Sequence, residues 1–581
     1  MAESQPQDLL PDEGLQLAWA RQPSWRILDT EFAQGLRFLR TWQAWLAAPH
    51  RPRLLHYVAL TPQAPATGSL LQAAAPYPEL LSLAQELASL CGVLSSGFHR
   101  LNLSQGRVLL TLCVGETRTL LREHHFAADA VVLEVNAAPG DWNRWTCKAL
   151  ARCCRRGTRL TLIPPSHEPT TTWLTQCGFE PLGAPGSLHW QFNPPWELKT
   201  TRQPQPFDAP VPTTCVVIGA GLAGASVAAA LARRGWQVQV LEAGATPAAG
   251  ASGLPVGLMV PHVSVDDSPR SRLSRSGIRL TLQQTRHLLR ADQDWAQSGV
   301  LEHREIGVST LWHALAGWIK PARLVQAWLA QPGITFAPNA PVAALRREGD
   351  VWLLLDTQGQ TLARASHVVL ANACAATQLL ESLQNTMPTL RSRLTHLPTL
   401  QGVRGVLSWG VQPPGDATAL PPYPVNGWGG LIPNVPLDRA DSGDCADGEA
   451  HAGTQAWYLG ATYEADASEP APLATHHQTN LDKLRTLLPA AAQALDPAFA
   501  AGRVQAWQGT RCVSPDRLPV VGPLDAGESP SLWISVGMGS RGLSFAVLCA
   551  ELLAARLGGE PLPVEASLAR QLEALRAGPP S

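Results

Sequence analysis

Apolar positions fall into two runs of short strands and helices, separated by a stretch with no periodicity. In the first run, residues 25–28 and 54–60 are continuous apolar segments, the pattern of short buried strands. Residues 70–90 repeat apolar side chains at helical spacing, with Leu81, Leu83, Leu87 and Leu90 as the expected inner face. Residues 108–114, 130–133 and 159–163 predict further strands. Strands alternating with helices predict an α/β layer structure. Residues 192–214, FNPPWELKTTRQPQPFDAPVPTT, are rich in proline and carry no pattern, so they read as a linker. The expected division is therefore 1–192, a linker at 193–213, and 214–581.

The second run opens with residues 215–242, CVVIGAGLAGASVAAALARRGWQVQVLE. A buried-strand segment ends at Gly219, and Gly219, Gly221 and Gly224 stand at G-x-G-x-x-G spacing. An alanine-rich helix is expected over 222–234, Gly235 closes it, and a strand at 238–241 ends on Glu242. This order suits a dinucleotide: Gly219 allows a tight turn, and Gly221 keeps side chains away from a pyrophosphate. Gly224 permits close helix–strand packing, and Glu242 can accept from ribose hydroxyls. The helix N-terminus adds free N–H groups and positive dipole. The bland alternative is a βαβ unit with no ligand, but strand, glycines, helix, strand and acid all appear in sequence.

Further on, the pattern predicts a helix over 273–295 and strands at 342–345, 351–355 and 367–370. Residues 438–453 form a small, polar, acidic excursion that reads as a loop. Near the end, RCVSPDRLPVVGP (511–523) and a strand LWISVG lead into Gly537, Gly539, Ser540, Arg541 and Gly542, then a helix over 545–557. That second strand–glycine–helix junction aims another set of N–H groups outward.

Composition narrows the classes. The 581 residues carry a net charge of −1, which gives no global field for nucleic acid or anionic membrane. Eleven cysteines are scattered without C-x-x-C spacing, which suits a reducing cytoplasm and offers neither a disulfide framework nor a metal site. The polar, acidic residues 1–14 do not resemble a signal peptide, and no run of 18 apolar residues predicts a membrane span.

From residue 214 onward the chain resembles the D-amino-acid oxidase and glycine oxidase group of flavoproteins. The resemblance rests on VVIGAGLAGASVAAALARRGWQVQVLE, GASGLPVGL, GWIKPARLVQAWL, HVVLANA, SPDRLPVVGP and VGMGSRGLSFAVLCAELLA, in the family's order. It implies FAD, hydride removal from a carbon beside an amine nitrogen, and hydrolysis of the resulting imine; the chemistry then rests on the cofactor. It further implies that Gly219, Gly221, Gly224 and Glu242 hold the ADP half. Ala251, Ser252 and Gly253 would lie along pyrophosphate and flavin, Val342 and Ala371 near the adenosine. Gly537, Gly539, Ser540, Arg541 and Gly542 would approach the flavin ring and ribityl chain. Leu254 departs from the asparagine common in such proteins. Arg511 or Arg404 is the candidate for a substrate carboxylate, because guanidinium matches carboxylate bidentately.

The fusion to an N-terminal α/β unit resembles the family of bifunctional tRNA 5-methylaminomethyl-2-thiouridine biosynthesis proteins, MnmC, in which a methyltransferase dependent on S-adenosylmethionine precedes the oxidase. The implied fold class is α/β, a Rossmann-like methyltransferase-type domain followed by a FAD-binding Rossmann-type domain with an inserted α+β substrate domain. The family's GFGTGLNF loop reads here Glu31-Phe32-Ala33-Gln34-Gly35-Leu36-Arg37-Phe38, followed by TWQAW. Thr61 stands where an acid is expected, Gly115-Glu116 replaces Gly-Asp, and LDGFAP has become residues 133–139, LEVNAAP. Two glycines have thus gained Cβ atoms at Glu31 and Ala33, and a ribose-binding acid is lost. The expectation is weak or absent S-adenosylmethionine binding unless Glu116 or Glu134 substitutes. Lys148, Arg152, Arg155, Arg156 and Arg159 suit RNA phosphates or a solvated face equally.

The resemblance implies a cytoplasmic enzyme of tRNA wobble-uridine modification, without metal, membrane or obligate protein partner. Its flavin unit would remove the carboxymethyl group of 5-carboxymethylaminomethyl-2-thiouridine, and its N-terminal unit, if active, would methylate the amine. The rivals are an oxidase of free amino acids or amines with an inactive N-terminal domain, and a non-enzymatic tRNA- or partner-binding protein with structural FAD.

Overall fold

A computed structural model describes the chain except residues 1–17, 21, 93, 136–141, 164–167, 184–186, 199–210, 306–308, 385–386, 413–419, 438–453, 466–468, 526–529 and 577–581. The acidic excursion at 438–453, residues 136–139 of the altered LDGFAP segment, most of the proline-rich stretch and the N-terminal residues 1–14 therefore lie outside the described residues.

The first unit is one eight-stranded sheet. Its strands are β1 (Ser24–Asp29), β2 (Leu54–Thr61), β3 (Gly97–Leu103), β4 (Val108–Val114), β5 (Ala128–Glu134), β6 (Cys154–Ile163), β7 (Phe179–Pro181) and β8 (His189–Phe192). They lie in the order β3-β4-β2-β1-β5-β6-β8-β7. The central strands β4, β2, β1, β5 and β6 run parallel. Burial on both faces explains why β2 is apolar almost throughout, since all eight of its residues are buried. Strand order reverses between β1 and β5, so their carboxyl ends flank a topological switch point, where ligands bind in open α/β sheets.

The helix expected over 70–90 is divided into Thr67–Ala74, a short turn at Pro78–Leu80, and Leu81–Leu90. Pro76 and Pro78 interrupt it, because proline has no N–H and keeps the residue before it out of helical geometry. Its inner face also differs: Leu80, Ala84 and Leu87 are buried, whereas Leu81 is exposed.

The second unit contains a six-stranded sheet with the strand order Ile334–Ala337, Gln237–Leu241, Thr214–Ile218, His367–Leu370, Leu532–Val536 and Val520–Pro523. The first five are parallel, and the last is antiparallel to its neighbour. Helices Leu222–Arg233 and Gly542–Leu557 pack together against it within one core. The helix expected over 273–295 runs from Pro269 to Leu288, and Trp295 lies in a strand instead. The strand expected at 342–345 is shifted to Ala344–Glu348. A second, mixed sheet includes Gln401–Gln412, Gln505–Val513, Gln455–Gly460, Gly429–Pro436 and Val425–Gly427.

The two units meet along β3, the edge strand of the first sheet. Gln283, on the helix Pro269–Leu288, accepts from Asn102 N at 2.8 Å and donates to Arg100 O at 3.3 Å. One side chain thus satisfies two of the backbone groups that an open sheet edge would expose, and Glu565 accepts from a third, Phe98 N, at 3.2 Å. Arg100 reaches Pro561 O at 2.6 Å, Arg26 reaches Gly559 O at 3.1 Å, and Glu123 accepts from Ser567 N at 2.8 Å.

Candidate functional site

The glycine-rich turn has the geometry that its spacing implies. Gly219 takes φ +102, and a Cβ there would stand 2.7 Å from Ala371 O, so the turn also permits close approach of the neighbouring strand end. A Cβ at Gly224 would run into the carbonyl oxygen of Gly219, which is the close helix–strand contact. At Gly221 it would lie 2.9 Å from Ser252 Oγ. The Ser252 hydroxyl accepts from Leu222 N at 2.9 Å, which ties the turn Ala251–Gly253 across the helix N-terminus. Glu242 accepts from Ala220 N at 2.7 Å and from Gly244 N at 3.0 Å, so its carboxylate is fixed at the end of its strand.

These groups border a cavity of about 620 Å³, within the range of ligand sites. Gly219, Gly221, Glu242, Ala251, Ser252, Val342, Ala371, Gly537, Gly539, Ser540, Arg541 and Gly542 all line it. Gly224 and Gly253 do not; Gly224 serves packing, and a Cβ at Gly253 would approach Ala248 O at 2.6 Å. The residues fit FAD: a long cradle leads from Glu242 and Val342 past the helix N-terminus to the Gly537–Gly542 turn, and Cβ atoms would fill it at Gly221.

Opposite this cradle, the mixed sheet contributes a wall. Asn426, Gly430, Gly460, Leu407 and Trp507 lie in one row across its strands, and all five line the cavity. Gly430, at the centre of that row, leaves space for a substrate, whereas a Cβ at Gly460 would press on Asn480 at 3.1 Å. Arg511 belongs to the same face, two strand alternations beyond Trp507. It rests over Gly405, where a Cβ would collide with its guanidinium. Its Nη1 is buried and has no hydrogen-bond partner, and its Cζ stands 4.9 Å from the centroid of the Tyr463 ring. Burial lowers its pKa, yet a guanidinium remains charged at neutral pH, so the cavity wall carries a half-buried cation.

Arg404 is not among the lining residues. It precedes Gly405 on the same strand, and alternation sends its side chain to the other face, where it reaches Ala465 O at 3.4 Å. Arg541 lines the cavity; burial, then the charge of Arg270, lowers its pKa. Sequence reading missed Tyr463, Trp507, Asn426 and the glycine pair Gly430/Gly460. The alternation Trp507-x-Gly509-x-Arg511, with a large side chain, a gap and a cation on one strand face, is the signal that could have found part of this wall.

At the switch point of the first sheet, the groups are committed to one another. Arg37 spans the ends of β1 and β5, with Nη1 2.6 Å from Asp29 Oδ1 and Nη2 2.7 Å from Glu134 Oε2. Tyr57 donates to the other Asp29 oxygen at 2.6 Å. Glu31 folds back to accept from Ala33 N at 3.0 Å, which occupies a loop N–H, and Ala33 has φ +47. Thr61 donates to Gln63 O at 2.7 Å, and Glu116 caps the helix Thr117–Arg122. Neither candidate substitute acid is therefore free, since Glu134 holds Arg37. As they stand, these residues do not fit S-adenosylmethionine: a guanidinium fills the crevice between the two carboxylates, and no acid stands at the end of β2.

Among the described residues, no group of three or more His, Cys, Asp or Glu could hold a metal ion, and no helix is long and apolar enough to cross a membrane.

The profile of the FAD dependent oxidoreductase family (DAO) matches residues 214–308 and 302–556. A tRNA 5-methylaminomethyl-2-thiouridine biosynthesis bifunctional protein MnmC from Albidiferax ferrireducens is 54% identical, over 97% of this chain and 94% of that protein. One from Polaromonas naphthalenivorans is 45% identical, over 97% of this chain and 91% of that protein. Among solved structures, a glycine oxidase from Geobacillus kaustophilus matches 63% of this chain and 99% of its own, at 17% identity and TM-score 0.48. With a fingerprint cradle, an oxidase profile across the second unit and relatives similar over nearly their whole length, the chain belongs to the family of tRNA 5-methylaminomethyl-2-thiouridine biosynthesis bifunctional proteins, MnmC.

Proposed function

We propose that this chain is a cytoplasmic FAD-dependent enzyme of tRNA wobble-uridine modification. It removes the carboxymethyl group of 5-carboxymethylaminomethyl-2-thiouridine to leave the 5-aminomethyl product and glyoxylate. The observation that carries the reading is Arg511, a half-buried guanidinium that lines the same cavity as the FAD cradle and whose Nη1 has no partner among the described residues. A carboxylate supplies such a cation with two acceptors in matching geometry.

FAD, when bound, accepts the hydride from the methylene between carboxylate and amine. Gly219, Gly221 and the N-terminus of helix Leu222–Arg233 would hold its pyrophosphate, and Glu242 its ribose. Arg511 orients the carboxylate end, and Gly430 leaves room for the methylene and amine. The oxidised carbon–nitrogen bond then takes up water and breaks, giving glyoxylate and the primary amine. No step needs a side-chain base, because the amine lone pair assists departure of the hydride. The working division places this oxidase at 214–581, after a linker at 193–213. The N-terminal unit contributes packing along β3, and its closed crevice supports a reading without methyl transfer.

The test is anaerobic bleaching of the flavin. tRNA carrying the carboxymethylaminomethyl group should bleach it at far lower concentration than free glycine. Faster bleaching by glycine would overturn this reading in favour of an oxidase of free amino acids.

A further inference from the structure

We infer that Tyr463, Lys483 and Trp428 form a stacking strip for single-stranded RNA on the rim of the oxidase cavity, with Tyr463 receiving the reacting base. This deepens the oxidase reading above and rests on it. Tyr463 lines the cavity and is nevertheless 59% exposed, and Trp428 is 65% exposed. Exposed rings at a cavity rim offer flat, amphipathic faces on which a base can stack. Trp428 tips the turn between Val425–Gly427 and Gly429–Pro436, two residues past the cavity-lining Asn426. Lys483 links the two positions, with its head group over Tyr463 and its stem against the residue after Trp428. Its Nζ lies 5.8 Å from the Tyr463 ring centroid and donates to Ala461 O at 3.0 Å. Its Cβ is 3.3 Å from where a Cβ of Gly429, the residue after Trp428, would be.

Two exposed aromatic rings and a cation on the same rim are the elements of a single-strand platform, where bases stack and the cation meets phosphate. Lengths also agree with Tyr463 as the reacting base's seat. From the carboxylate carbon to the uracil ring, the carboxymethylaminomethyl arm has four bonds of about 1.5 Å, so it spans at most roughly 5 Å. Arg511 Cζ is 4.9 Å from the Tyr463 centroid. A carboxylate held by Arg511 therefore lies close enough to Tyr463 for an arm of this length to set the base beside the ring's exposed part. A free amino acid has no base to stack there, so the strip selects for a nucleobase behind the carboxymethylamino group.

The experiment uses the full-length holoprotein and two readouts. One is the concentration of carboxymethylaminomethyl-tRNA, or of N-ethylglycine as a small carboxymethylamine, that gives half-maximal flavin reduction. The other is the anisotropy of a labelled anticodon stem-loop. Loss of a stacked base typically costs about 1–3 kcal/mol, or roughly 5- to 150-fold. Tyr463→Leu should raise the tRNA value within that range and by at least fivefold more than the N-ethylglycine value, while Tyr463→Phe restores it. Trp428→Ser should raise only the tRNA value. Both Tyr463→Leu and Trp428→Ser should weaken stem-loop binding. Unchanged tRNA values and unchanged anisotropy in both variants would overturn the strip. So would equal loss for tRNA and N-ethylglycine in Tyr463→Leu. Failure of modified tRNA to bleach the unaltered protein, with anisotropy still dependent on Tyr463 and Trp428, would overturn the oxidase reading and uphold the strip.

Discussion

The closed crevice of the first sheet makes a quantitative prediction about S-adenosylmethionine. For the cofactor to enter between β1 and β5, Arg37 must leave both Asp29 and Glu134. Asp29 is almost wholly buried, and Arg37 itself is largely covered. Breaking a buried pair by withdrawing one partner costs roughly 3–5 kcal/mol. At about 1.4 kcal/mol per decade, that alone weakens binding by about a hundred- to several-thousand-fold. The acid missing at Thr61 removes a charged hydrogen bond, for roughly another 1.5–3 kcal/mol. Together these move a micromolar site into the millimolar range or beyond. Calorimetric titration of the full-length holoprotein should therefore show no saturable heat at hundreds of micromolar ligand. Thermal unfolding should not shift either, whereas a ligand at a thousand times its Kd stabilises by about 4 kcal/mol. The combined variant Glu31→Gly, Ala33→Gly, Arg37→Asn, Thr61→Glu, which restores the loop's two glycines, its asparagine and the acid, should bind at least a hundredfold more tightly. Low-micromolar binding by the unaltered chain would refute the reasoning, as would a combined variant that binds no better.

Two further outcomes concern the oxidase cavity. Gly221→Val should abolish the flavin absorbance of the purified protein, because even a Cβ at this position meets Ser252 Oγ at 2.9 Å; full flavin occupancy would show the cradle misplaced. Arg511→Leu should keep the flavin spectrum but raise the half-saturating tRNA concentration roughly tenfold to hundredfold, the cost of a charged hydrogen bond, while Arg404→Leu should leave it within twofold. Equal losses in the two arginine variants would refute the assignment by strand face.

Much of this was legible because it is local. G-x-G-x-x-G spacing, a buried strand before it and an acid after the next strand specify a turn whose φ and close contacts only glycine tolerates, and the structure has that turn at Gly219–Gly224. Likewise Glu31, Ala33 and Thr61 announced a damaged cofactor loop. Arg37 did not, although it stood in the quoted motif, because its meaning depends on a carboxylate 97 residues later at Glu134. The choice between Arg404 and Arg511 was also open in sequence. It is decided by strand register: Val403 pairs with Arg511 and Arg404 with Thr510, so the two guanidiniums leave opposite faces of one sheet. The Tyr463 rim is assembled from a strand end, a helix and a hairpin far apart in the chain, and composition carried no trace of it. Where prediction failed locally, at residues 70–90, leucine periodicity was read through two prolines.

The last prediction concerns why a unit with a closed crevice is retained, and it turns on Glu551. The helix Gly542–Leu557 is buried along nearly its whole length, yet carries this carboxylate in its interior, 1% exposed. It pairs with Arg233 at 2.6 Å and Arg234 at 2.9 Å, and Arg234 also holds Glu560 at 2.7 Å. His56 of β2 stands 3.6 Å from Glu560, and Arg100 of β3 adds its charge, so the first unit forms part of the wall around the cluster. Burial opposes ionisation of Glu551, but the arginines, Arg234 foremost, outweigh it and hold its pKa at about 2. Against an ordinary value of 4.5, that is roughly 3 kcal/mol of stability at neutral pH. Because the folded value is depressed, this contribution is complete above about pH 4.5 and is lost as pH falls toward 2. Glu551→Gln, similar in shape but uncharged, should therefore lower the urea midpoint of the full chain strongly at pH 7. The difference from the unaltered protein should narrow by about 1 kcal/mol or more at pH 3.5. A difference that stays constant between these pH values would mean that the side chain acts through shape alone. A narrowing difference, together with similar losses in Arg100→Leu, would identify the first unit as a lid over buried charge, which is reason enough for the oxidase to keep it.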